Sequence, residues 1–279
     1  MNYINPAYGS LDELAKAYKE NYATADPFPS ISFKNFFNED MLNGVLEEFD
    51  DLDKGDTIKF NSPNENKLAS KGENRFGPKA KAFVHYLNSE PFLLFLQELT
   101  SVEETLVPDP YFEGGGFHQS KAGGFLKIHA DFNKHRLTKL DRRLNILVYL
   151  NKDWKEEYNG HFELWDKDMN GCVKKILPEF NTLAMFSTTD FSYHGLPNPI
   201  TCPPDRSRKS VALYYYSNGR PAHEINDGLE EHNTLFKARK GDLVDAKMVK
   251  YNKVQGLKDF AKDLIPPIFI KTAKKVTGN

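Results

Sequence analysis

The stretch LNILVYLNKDWKEEYNGHFELWD, residues 144–166, sets two runs rich in leucine, β-branched and aromatic residues on either side of a polar turn, and reads as strand, turn, strand. The same texture extends on both sides of it, from about residue 110 to 217. FLKIHADF, CVKKIL, TLAMFS and SVALYYYS are further short apolar runs, divided by Gly, Asn, Pro and Asp at the spacing of an antiparallel double sheet. The fold class expected is therefore mainly β with flanking helices, on a double-stranded β-helix (jelly-roll) core.

Working outward, ISFKNFF (31–37) reads as a strand, and Asn38 as the N-cap of a helix carrying Met41, Leu42, Val45, Leu46, Phe49 and Leu52 on one face. A second amphipathic segment covers 79–87, and Ser89 ahead of Pro91 opens a third helix. Residues 53–78 are polar and lack apolar periodicity, which leaves two readings, an active-site flap or a disordered loop. The expected organisation is one structural domain: an N-terminal support over 1–109, a core over 110–217, and a helical extension over 218–279. That extension ends in a lysine-rich tail (Lys258, Lys262, Lys271, Lys274, Lys275) around LIPPIFI.

Composition narrows the functions. The 279 residues carry 37 Lys and Arg against 39 Asp and Glu, a net charge of −2, so no global field draws the protein to nucleic acid or to an anionic membrane. Cys172 and Cys202 lack CxxC spacing, which excludes a disulfide scaffold or a zinc knuckle and fits a reducing compartment. The amino terminus has no basic stretch followed by an apolar one, and the longest apolar run, Leu264 to Ile270, holds two prolines and is too short to span a bilayer. A cytoplasmic protein without a leader or a transmembrane segment is expected.

Few residues suit chemistry, and their spacing is informative. His129 and Asp131 sit two apart at the end of an apparent strand, so both side chains point to one side. His194 follows the strand TLAMFS and a short loop. Two imidazoles and one carboxylate form the donor set that holds Fe(II) while leaving adjacent positions open. Arg208 and Ser210 share one face of the strand that runs into SVALYYYS. A guanidinium facing the interior requires an anion, either a ligand carboxylate or a structural partner such as Asp205 or Asp190.

An HxD, a histidine about sixty residues later and an RxS opening a β-strand resemble the iron(II)/2-oxoglutarate-dependent dioxygenases, in particular their prolyl 4-hydroxylase-like branch. RRLN, YLN, the tryptophan after it and the strand and loop delivering His194 strengthen the likeness, which spans about residues 110–217, with a weaker trace in HNTLFKARKGD (232–242). The resemblance implies His129, Asp131 and His194 as iron ligands and as the catalytic centre. It also implies Arg208 and Ser210 as the clamp for the distal carboxylate of 2-oxoglutarate. Tyr149, on an alternation with Asn145 and Leu147 that suits an inward face, would add its hydroxyl there; the other reading is a core tyrosine. The cofactors implied are Fe(II), 2-oxoglutarate as co-substrate, and ascorbate. The activity implied is hydroxylation of a C–H bond with O2, releasing succinate and CO2.

Asp131 fills the position that related halogenases leave open for halide, which favours hydroxylation. Two features depart from the family pattern. The usual Gly-Gly pair reads Asn159-Gly160, and His161 stands where an acidic residue is common. The first expected substrate is a prolyl residue of a protein or peptide. A free amino acid, a sugar or another small metabolite is the alternative. The basic run Lys134, His135, Arg136, Lys139, Arg142, Arg143 reads either as a solvated loop or as a receiver for an acidic substrate. Two further classes stay open: a non-catalytic jelly-roll binding module, and a cupin-like hydrolase or isomerase, for which Arg208 has no evident use.

Overall fold

In the computed structural model, residues 2–225 and 231–239 are described. The lysine-rich tail and LIPPIFI lie outside them. Helix α1 (Leu11–Ala23) begins at Ser10, whose hydroxyl oxygen accepts from Glu13 N at 3.2 Å. Strand β1 (Ser30–Lys34) leads to α2 (Glu39–Glu47), where Asn38 Oδ1 accepts from Met41 N at 3.0 Å, the expected N-cap. Next come β2 (Ile58–Ser62), β3 (Glu65–Ala69), α3 (Pro78–Leu87) and α4 (Glu90–Thr100). Ser89 stands at the N-cap position of α4, but its hydroxyl donates backward to Tyr86 O, so it caps nothing.

The remaining strands are β4 (Val107–Pro108), β5 (Gly116–Ser120), β6 (Phe125–Ala130), β7 (Asp141–Tyr149) and β8 (Phe162–Trp165). After them run β9 (Cys172–Ile176), β10 (Thr182–Ser187), β11 (His194–Leu196), β12 (Arg208–Ser217) and β13 (Leu235–Phe236). They form one antiparallel sheet in the order β1-β10-β7-β12-β5-β3-β6-β11-β8-β9, curled into a nearly closed jelly-roll barrel. Among the described residues no helix is long and apolar enough to cross a membrane.

Alternation along β7 decides what faces where. Leu144, Ile146 and Val148 join the large core formed with the helices, which also holds Phe37, Phe83 and Phe117. Asn145, Leu147 and Tyr149 therefore point to the other, inner face. Residues 53–78 depart from both readings of the sequence. Its middle part, 58–69, is the β2–β3 hairpin, and β3 is bonded into the sheet between β5 and β6.

Strand β6 is held on both sides. Its Leu126 is paired with Leu196 of β11 and with Glu65 of β3, and its His129 with His194 of β11 and Phe236 of β13. Gly195 is what lets β11 come so near. A Cβ there would lie 2.7 Å from Leu126 O and 2.9 Å from Lys127 O, backbone atoms that cannot step aside. Gly195→Ala is expected to destabilise the fold by about 1–3 kcal/mol, a fall in Tm of roughly 3–10 °C by thermal denaturation.

Candidate active site

His129 on β6 and His194 on β11 are direct cross-strand partners, with ring centroids 4.4 Å apart. Asp131 follows β6 immediately. Its Oδ1 lies 3.4 Å from His129 Nε2 and its Oδ2 lies 3.5 Å from His194 Nε2. One donor atom from each of the three residues falls within 4.8 Å of the others, a cluster able to hold a metal ion.

The imidazoles are oriented by their own backbone. His129 Nδ1 donates to Lys127 O at 2.9 Å and His194 Nδ1 donates to Ser192 O at 2.8 Å. A carbonyl only accepts, so each Nδ1 carries the proton and each Nε2 is left to offer its lone pair to the centre. Burial pushes His194 down to about 3, so its ring is uncharged at neutral pH. Phe186 and Phe162 pack against it, with centroids at 4.5 and 5.4 Å.

The carboxylate is held just as firmly. Asp131 Oδ2 accepts from Arg142 Nη2 at 2.9 Å and from Asn145 Nδ2 at 3.1 Å. Burial alone would raise the Asp131 carboxyl, but the Arg142 guanidinium and then the two imidazoles outweigh it and hold the group well below the usual carboxylate range. Arg142 is itself fully buried, with its Cζ 3.5 Å from the Tyr214 ring centroid and 4.4 Å from that of Phe132.

A second group occupies the same inner face. Ser210 of β12 is directly opposite Tyr149 of β7, and Arg208 lies two residues before Ser210, all three buried. Arg208 Nε donates to Gly160 O at 2.8 Å and its Nη2 to the Tyr149 hydroxyl at 3.2 Å. Neither Asp205 nor any other carboxylate among the described residues pairs with it. Asp190 is instead bonded to His232 at 2.8 Å. Burial draws the guanidinium down and pushes the Tyr149 phenol up to about 12, which keeps that hydroxyl a donor. Gly160, with φ of +78°, brings its carbonyl to Arg208 in a conformation that a side chain would strain. His161, beside it, is bonded to Glu156 at 2.6 Å.

The basic run is divided: Arg136 and Lys139 are exposed, as on a solvated loop, whereas His135, Arg142 and Arg143 are buried, and its cations already have acidic partners. Lys134 pairs with Asp141, Arg136 with Glu113, Lys139 with Glu231, and buried Arg143 with Glu104 and Glu224. Two site residues escape a reading of the sequence. Arg142 is hidden inside that run, and Asn145 shows only as the inward alternate of Tyr149. His118 is a third: opposite Ser210 on β5, it has Nε2 2.9 Å from Gly114 O, and burial pushes it down to about 3.

Residues 115–216 match the family model of the 2OG-Fe(II) oxygenase superfamily. This part of the chain, a little over a third of it, is similar to that superfamily. Among solved structures, the protein is similar to a prolyl-4-hydroxylase of Pseudomonas putida, at 14% identity and a TM-score of 0.55, over 74% of this chain and 100% of that one. It is also similar to a prolyl hydroxylase of Trichoplax adhaerens solved with a hypoxia inducible factor oxygen degradation domain peptide fragment. There the identity is 16% and the TM-score 0.54, over 74% of this chain and 90% of that one. Both likenesses are of fold. No curated protein matches this chain in sequence. The donor chemistry of His129, Asp131 and His194 fits the iron that the superfamily uses: two nitrogen lone pairs and one ionised oxygen converge on one point.

Proposed function

We propose that this oxygenase hydroxylates an unactivated C–H bond, first of all in a prolyl residue of a protein or peptide, with release of succinate and CO2. The observation that carries the reading is a buried guanidinium without a carboxylate partner among the described residues, on the same inner face as a buried His-Asp-His cluster. In this reading His129, Asp131 and His194 hold Fe(II). Arg208 takes the far carboxylate of 2-oxoglutarate, with the Tyr149 and Ser210 hydroxyls adding bonds. From Asn145, which touches Asp131, to Tyr149, which touches Arg208, is about 13 Å along β7. A five-carbon diacid and the two reaching side chains bridge that span.

Iron and 2-oxoglutarate, when bound, supply an oxidation by O2 in which the keto acid is split to succinate and CO2 and the substrate gains a hydroxyl. The chain supplies order. Arg142 and Asn145 keep Asp131 ionised and in place, the Lys127 and Ser192 carbonyls aim the imidazoles, and Phe186 and Phe162 exclude water behind His194. The prolyl assignment is supported by two fold neighbours that are prolyl hydroxylases, one of them solved with a peptide. A cytoplasmic site of action, supported by the free Cys172 and Cys202, belongs to the same reading.

Anaerobic addition of Fe(II) and then 2-oxoglutarate is expected to produce a weak visible charge-transfer band that disappears on chelation. A protein that stays colourless while remaining folded removes the iron and 2-oxoglutarate reading. Succinate release, measured with ascorbate as the expected accessory reductant over panels of prolyl peptides, amino acids and sugars, then identifies the substrate class.

A further inference from the structure

The segment after the barrel, residues 231–239, reaches back to both arms of the candidate metal site. His232 Nε2 bonds Asp190 Oδ1 at 2.8 Å, where the carboxylate is fully buried and the imidazole nearly so. His232 N donates to Asn133 Oδ1 at 2.9 Å, and Asn133 Nδ2 donates to Asp190 Oδ1 at 3.4 Å. Asn133 lies two residues after Asp131, and Asp190 four residues before His194. One histidine thus ties together the two loops that deliver the candidate ligands.

Four residues on, β13 lies along β6. Phe236 is the direct partner of His129, so its ring is on the same side of the sheet, with centroids 5.6 Å apart. Lys237 N donates to Ile128 O at 2.8 Å. Leu235 packs on the opposite face against the cluster of Ile128, Ala130, Trp165 and Tyr193. Arg239 reaches Asn198, four residues beyond His194. Most of these attachments are to β6, to β11 or to the loops next to them.

We propose that residues 231–239 are a clasp belonging to the active site, in which His232 is a positioning residue for the metal ligands and Phe236 is the apolar wall that a substrate meets beside His129. The clasp rests on the metal-site reading above. A half-buried phenyl next to the reacting centre favours an aliphatic ring or chain as the group presented for oxidation. It also limits the access of water to the open metal positions.

The test uses the full chain with Mn(II) as the probe, followed by its electron paramagnetic resonance signal and by water proton relaxation. Circular dichroism melts establish that each variant is folded. The wild type is expected to take up one Mn(II). His232→Ala should weaken uptake about tenfold, and His232→Gln, which keeps a donor toward Asp190, should recover most of that loss. Phe236→Ala should leave affinity unchanged and raise the relaxation of solvent water above that of the wild type, whereas Phe236→Leu should not. A purely structural role would move the melts of both alanine variants and neither of these readouts. If His232→Ala fails to fold, the Phe236 pair still decides, because a half-buried side chain on a two-residue edge strand can be shortened without opening the core. Wild-type uptake with His232→Ala binding equally well and Phe236→Ala relaxing equally slowly overturns the clasp alone. No uptake by the wild type overturns the metal-site reading, and the clasp with it.

Discussion

Asp131→Ala is expected to abolish succinate production and stoichiometric Fe(II) binding. The substitution removes the only carboxylate in the cluster of His129, Asp131 and His194, and with it the charge that matches a divalent ion. Its cost reaches further, because Arg142 is fully buried and Asp131 is its ion-pair partner. Leaving such a charge uncompensated destabilises a protein by about 3–5 kcal/mol. Asp131→Asn is therefore the sharper variant. It keeps the volume, removes the anion and turns one oxygen into a donor facing Arg142. Metal affinity measured on folded Asp131→Asn protein should fall at least as far as activity does. Turnover at the wild-type rate in either variant would show that the ferrous centre lies elsewhere.

The second large effect is expected at Arg208, and on 2-oxoglutarate rather than on chemistry. A bond between a charged donor and a carboxylate contributes about 1.5–3 kcal/mol, equivalent to a 10- to 150-fold rise in KM for 2-oxoglutarate in Arg208→Ala. At saturating 2-oxoglutarate, kcat should recover much of its value, since no atom of Arg208 is bonded to the His-Asp-His cluster. Arg208→Lys keeps the charge and loses the planar fork that reaches Gly160 O and the Tyr149 hydroxyl together, so it should fall between the two. An unchanged KM in Arg208→Ala would assign the guanidinium a structural role and leave the co-substrate without its clamp. The same titration in Tyr149→Phe should show a smaller rise, the loss of one neutral donor.

Much of this was readable in the chain itself, where short-range periodicity carries the information. The two-residue alternation placed His129 with Asp131, Arg208 with Ser210, and Asn145 with Tyr149 on common faces, and the structure has them there. Local capping chemistry located α2 through Asn38. Features whose partners are distant in sequence stayed hidden. The β2–β3 hairpin shows alternation of half-buried and exposed positions, but with lysine, asparagine and serine among them, and its bonding partners β5 and β6 lie some fifty residues away. The pairing of the basic run does not show because Glu104, Glu113, Glu224 and Glu231, which neutralise it, are all remote. At β13, two residues are too few for any period to register, although their place beside His129 is among the most consequential in the fold.

The double pairing of β6 restricts how a polypeptide can be recognised. Many domains capture peptides by letting them extend an open sheet, so that main-chain bonds supply affinity for almost any sequence. Here β11 covers one side of β6 and β3 with β13 the other, at Leu126 and His129 alike. At these two positions of the strand that carries His129, both sides of the ladder are already taken. A peptide arriving at this centre must be read through its side chains and the shape of its bend. Its selectivity is then a property of the loops and of Phe236, and it can change by substitution there while the ligand-bearing strands stay as they are.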